Sequence, residues 1–190
     1  MNELRQLLRP WIYLGISGPR KYLFDWIIPA ILALVFIIPW AVSGVKVQFY
    51  GAGGFLSQIT SFVQNLPGFF IAALAAVATF NRGDLDKEMP EPAPTIPVAI
   101  KGHAVRLSLT RRRFLCVLFA FLTVQSIVIT LVGVLLVVLA PAISHAVGDV
   151  VRPFVYYTGA FLYLFQFLQM IIATALGLYY LGDRIHQPDS

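Results

Sequence analysis

Residues 81–113, NRGDLDKEMPEPAPTIPVAIKGHAVRLSLTRRR, begin acidic, turn proline-rich and end basic. They form the one long polar stretch in a chain that is 58% apolar and 12% charged, with a mean hydropathy of +0.79. Soluble domains carry about 25% charged residues, so the chain reads as an integral membrane protein. Uncharged blocks on both sides give two membrane hairpins joined by a soluble loop, an all-α protein with four transmembrane helices. Its parts are an interfacial segment 1–25, a first hairpin 26–80, the loop 81–113, a second hairpin 114–182 and a tail 183–190.

In the first part, Leu4, Leu7, Leu8, Trp11 and Ile12 recur at helical spacing among Arg5, Arg9, Arg20 and Lys21. This predicts a short amphipathic helix in the headgroup region, broken by Pro10 and ended by Gly15, Gly18 and Pro19. A signal peptide is the poorer reading, because the basic region and the apolar run are both too long. The first span is Trp26 to Val45, bounded by Asp25 and Lys46, with Trp26 and Trp40 as interfacial anchors. Pro29 falls in its first turn, where a missing N–H costs little, and Pro39 kinks or ends it.

Gly68 to Phe80 is too short to cross a core of about 30 Å, so the second span begins before Pro67. Gly68, Ala72 and Ala76 repeat every four residues and permit close helix contact; the polar residues before Pro67 pack against helices or line a pore. The third span runs from Phe114 to Ala140 and is ended by Pro141. Its stripe Thr123, Ser126, Thr130 and Gly133 reads as interhelical glue. Cys116 reads as core packing, and Asp149 pairs with Arg152 in the short outer loop. The fourth span, Phe154 to Leu181, has Tyr156 and Tyr157 at one end and Tyr179 and Tyr180 at the other. Gln166 and Gln169 stand mid-span, suited to hydrogen bonds between helices or subunits, or to a ligand.

Four Lys or Arg precede the first span, seven lie in the loop and one follows the last span, so twelve stand on one side against two on the other. By the positive-inside rule both termini and the loop face the cytoplasm. The net charge of +5 is then a matter of orientation, and direct nucleic-acid binding is not expected.

Within the loop, Pro90, Pro92, Pro94 and Pro97 stiffen an extended arm. Val105 to Thr110 alternates apolar and polar, and Ile96 to Ile100 pairs with it across Lys101, Gly102 and His103 as a small hairpin. Thr110 caps the third helix, which puts Arg111, Arg112 and Arg113 in its first turn. Cations are disfavoured there by the helix dipole, so acidic groups or headgroups compensate. The basic set Lys101, His103, Arg106, Arg111, Arg112 and Arg113 docks either a soluble partner or anionic lipid, the latter worth about 1 kcal/mol per cation.

No nucleophile elbow, phosphate loop or metal-ligand cluster is present in the sequence, so neither an enzyme nor a cofactor is expected. The basic lead-in Gly18-Pro-Arg-Lys21, the arm Glu91-Pro-Ala-Pro94 and the entry Leu109-Thr-Arg-Arg-Arg-Phe-Leu115 occur in this order. In that order of features the chain resembles the membrane component of the Kiwa anti-phage defence system. The resemblance implies a homo-oligomeric inner-membrane sensor that acts with a cytoplasmic, DNA-binding effector. Two rival classes are a pore-forming effector, lined by Gln64, Asn65, Thr123, Gln166 and Gln169, and a toxin-immunity membrane protein.

Overall fold

The structure is a computed structural model, described over residues 9–18, 20–45, 47–80, 83–89, 93–100 and 103–182, and without the side chains of 97–100 and 103–105. Leu4, Arg5, Leu7, Leu8, Pro19, Lys46, Pro90, Glu91, Pro92, Lys101, Gly102 and the tail lie outside the described residues.

A 3-10 helix Arg9–Gly15 comes first, then a π-helical turn Leu23–Ile27 that runs into α1 (Ile28–Ser43). Next are α2 (Phe55–Val63), α3 (Leu66–Thr79) and the single turn α4 (Gly83–Asp86). The antiparallel strands β1 (Thr95–Ile100) and β2 (His103–Ser108) lead to α5 (Arg111–Ala146) and α6 (Arg152–Gly182). Four helices are long and apolar enough to cross a membrane: Leu23–Ser43, Phe55–Thr79, α5 and α6. The chain is therefore an all-α, multi-pass membrane protein, and its sheet among the described residues is the two-stranded hairpin. Phe36, Phe69, Leu131, Val138 and Leu162 are exposed, as lipid-facing side chains are.

Several boundaries differ from those expected. The first span starts at Leu23 rather than Trp26 and passes through Pro39 to Ser43, where Gly44 closes it at φ 64°. The third span passes through Pro141 to Ala146; the proline removes one N–H from the helix without ending it. The second span does begin before Pro67; α2 and α3 meet at a break where the Asn65 amide donates to Ser61 O at 3.0 Å. The Thr123, Ser126 and Thr130 hydroxyls bond carbonyls of their own helix and do not glue helices together. Gly133 does serve close contact: a Cβ there would run into Thr60 Oγ1 and lie 2.7 Å from Tyr163 OH, two groups that hydrogen-bond at 2.8 Å across α2 and α6.

The largest departure is at the start of the chain. Gln169 Nε2 donates to Asp25 O at 2.8 Å, and Gln169 Oε1 accepts from Gln125 Nε2 at 2.9 Å. At about 1.5 Å of rise per residue, Gln125 lies about 20 Å from the start of α5 and Gln169 about 20 Å from the end of α6. The first span thus begins about half-way along the bundle. The groove left below it is filled by residues 9–15, which the sequence reading placed flat in the headgroups. Tyr13 is fully buried and stacks on Phe121 at 4.7 Å, while Trp11 meets the same ring edge-on at 5.6 Å. The stretch of α5 that the first span leaves uncovered offers this segment more apolar surface than the membrane interface does.

Candidate functional site

The loop end of the bundle carries a small layer whose apolar residues continue the core of the helices. β1 and β2 pair from Thr95↔Ser108 to Ile100↔His103, so His103 belongs to the strand and not to the turn. Two further segments extend the pairing at the base. Ser17 exchanges main-chain bonds of 3.0 and 2.9 Å with Thr95 on the outer edge of β1. Beyond β2, Glu88 bridges Thr110, Met89 N–H donates to Leu109 O at 3.0 Å, and Ser108 Oγ donates to Glu88 Oε1 at 3.0 Å. Ile16, Leu85, Met89, Ile96 and Leu109 are buried in one apolar cluster. Towards its tip the β2 edge, with Ala104 and Arg106, has no paired strand among the described residues.

The basic residues of this layer divide by role. Arg113 is exposed, and its N–H takes the expected cap from Thr110 Oγ1 at 3.3 Å. Arg106 is exposed and donates to Ser17 Oγ at 3.4 Å. Arg111 is buried, at 4% exposure, and its N–H donates to Lys87 O at 3.1 Å. Arg112 binds Asp86 through two bonds, Nε to Oδ1 at 2.7 Å and Nη2 to Oδ2 at 3.1 Å. Its Nη1 reaches Val77 O and Phe80 O, both at 2.8 Å, which are carbonyls left open where α3 ends. That bond to Arg112 holds the Asp86 carboxyl below the usual carboxylate range. The expected acidic compensation for the arginines is thus Asp86 together with a helix C-terminus. Arg111 and Arg112 are structural, which leaves Arg106 and Arg113 on the described surface.

Beneath the layer lies a polar cluster that the sequence reading missed, having taken Asp25 as a boundary residue and found no carboxylate inside the bundle. Asp25 is 3% exposed and forms an ion pair with Lys21. Tyr13 OH donates to Asp25 Oδ1 at 3.1 Å, and Lys21 Nζ lies 4.1 Å from the centre of the Tyr13 ring. Burial first, and then the Asp25 carboxylate, push the Tyr13 phenol well above its ordinary value, so it remains a neutral donor. In α-helical register the Asp25 carbonyl would be served by residue 29, which is proline and has no N–H; the Gln169 amide serves it instead. Gln125 Nε2 also reaches Gln166 O at 3.3 Å, and its Oε1 has no partner among the described residues. The signal for this cluster was in the sequence: Pro29 stands four residues after Asp25, and Gln125 is the one amide side chain in α5.

The two remaining sets of expected residues part company. Gln169 is buried and bonds other helices of its own chain. Gly68 and Ala72 are exposed and Ala76 is partly so, and with Gln58, Ser61, Asn65 and Thr79 they mark an outward face of the second span. Gln64 and Asn65 are exposed while Gln169 is buried, so the residues expected to line a pore do not gather on one path. At the opposite end, Trp40 packs on Phe49, Tyr156 and Tyr157 within 5.5 Å, and Arg152 pairs with Asp149 at 2.9 Å. Among the described residues no three His, Cys, Asp or Glu side chains form a metal site. Comparisons of the chain with family models, curated proteins and solved structures find no match.

Proposed function

We propose that the chain is a non-enzymatic sensor and scaffold of the bacterial inner membrane that serves anti-phage defence. Both termini and the loop face the cytoplasm, copies self-associate, and the loop hairpin recruits a cytoplasmic effector protein by strand addition along β2. The observation that carries this reading is the hairpin itself. It is braced at its base by Ser17 and Glu88, and its β2 edge has no paired strand at Ala104 and Arg106 among the described residues. An isolated hairpin is marginal in water, so the bracing presents an ordered edge to a partner. Orientation rests on the placement of basic residues, and the defence setting on the sequence resemblance. Self-association is supported by the outward face of Gln58, Ser61, Asn65, Gly68 and Ala72, since polar side chains turned toward lipid are costly and small residues permit close helix contact.

The test is capture of the tagged protein from its host in mild detergent. A matched variant carries Arg106→Glu and a glycine-serine replacement of 98–105, and leaves Arg111 and Arg112 in place because they hold the helices. Native protein is expected to bring down a soluble partner and a differently tagged copy of itself, and the variant only the copy. Equal capture by both proteins, or no soluble partner with the native one, overturns the reading.

A further inference from the structure

We propose that residues 9–18 act as a conformational strap that transmits the position of the first span to the loop hairpin. The inference rests on the docking reading only for its consequence; the coupling stands on contacts of its own.

One end of the strap is fixed inside the bundle. Tyr13 is held by Asp25, and its ring lies between Phe121 at 4.7 Å and Phe114 at 6.5 Å. The other end is the Ser17–Thr95 pairing, reinforced by Arg106 on Ser17 Oγ. Three residues, Leu14, Gly15 and Ile16, join these two anchors. Past Ser17 the chain turns at Arg20, a non-glycine residue at φ 64°, a left-handed conformation that the surrounding contacts must hold in place. Asp25 belongs to the first span, whereas Phe121 and Phe114 belong to α5. Tyr13 therefore keeps all its contacts only while the first span and α5 stay in one relative position. Gln169 fixes that position from α6 through the Asp25 carbonyl.

The strap accordingly has a docked and a released state. If the first span shifts or turns against α5, the Tyr13–Asp25 bond breaks, while Lys21, one turn before Asp25 on the same helical stretch, moves with its carboxylate. The strap frees, and Ser17 leaves the β1 edge. The hairpin then loses one of its two braces and becomes less ordered. Movement within the bilayer is thus converted into a change of order at the cytoplasmic surface.

Hydrogen exchange in lipid nanodiscs tests this. Asp25→Asn is expected to speed exchange at 9–18 and at 95–108 together by about tenfold or more, and Tyr13→Phe to do so more weakly, with the spans unchanged. Tyr13→Phe keeps the test decisive if Asp25→Asn does not fold. A second arm joins Ser17→Cys to Thr95→Cys in a Cys116→Ala background; the oxidised form should keep the hairpin slow even with Asp25→Asn. Faster exchange at 9–18 alone, no change in either segment, or a hairpin that loosens equally when cross-linked overturns the strap. Failed partner capture alongside the expected exchange pattern would remove the docking reading and leave the strap in place.

Discussion

Replacing Gln169 with leucine tests the idea that the first span is seated by one borrowed amide. The change keeps the volume and removes two bonds: Nε2 to Asp25 O at 2.8 Å, and Oε1 from Gln125 Nε2 at 2.9 Å. Gln125 retains its longer contact to Gln166 O at 3.3 Å, but the Asp25 carbonyl is left with no donor from residue 29. A buried polar group left unpaired costs about 1–3 kcal/mol, while hydrogen bonds between membrane helices average about 0.6 and reach about 1.7 kcal/mol. For the pair we expect a loss of about 1–3 kcal/mol, or about 5- to 150-fold in the unfolding equilibrium. The structure also supplies a rescue. Pro29→Ala supplies the N–H with which the π-helical turn can close in α register on the Asp25 carbonyl, so Gln169→Leu should cost about 0.5–1 kcal/mol less in that background. Reversible unfolding by dodecyl sulfate in mixed micelles, followed by tryptophan fluorescence, measures all four corners of the cycle. Stability unchanged by Gln169→Leu, or a full penalty retained beside Pro29→Ala, would refute the reasoning.

Two further outcomes follow from the packing and the surface charges. Gly133→Ala drives a methyl into the Thr60–Tyr163 hydrogen bond and should cost about 1–3 kcal/mol in the same unfolding assay; a neutral result would mean that α2 and α6 yield readily. The Asp86 carboxyl is held below its ordinary range by the bond from Arg112, so its contribution is present above an unfolded value of about 4 and is lost as pH falls through the lower folded value. Between about pH 5 and pH 3 the native protein should therefore lose stability more steeply than Asp86→Asn. Equal slopes would show that the pair does not contribute.

The four spans were legible because lipid demands long uncharged runs, and the hairpin because alternation with period two was confined to one place. The strap and its polar cluster were not. A hydropathy reading ends a span at the first charge, so Asp25 became a boundary; beyond Lys21 one turn away, its partners Tyr13 and Gln169 lie 12 residues before and 144 residues after it, and no local pattern joins those. The arginines were read as one basic patch because spacing cannot distinguish a guanidinium turned back onto a helix end from one turned outward. Arg112 and Arg113 are neighbours in sequence and opposite in fate. Pro141 misled for a related reason: its local effect is on one hydrogen bond, and the rest of the helix continues past it to Ala146.

The bond from Gln169 to Asp25 also sets an order of events during synthesis. A ribosome adds about 5–20 residues per second, and 144 residues separate the two partners, so Asp25 emerges on the order of 10–30 s before the amide that completes its shell. During that interval Tyr13 gains α5 once Phe114 and Phe121 are made, but the Asp25 carbonyl still waits for its amide. The first span is consequently not fully seated until the fourth arrives. An insertion intermediate holding the first three spans, with the Asp25 carbonyl still unserved, is the natural point at which a membrane chaperone would act.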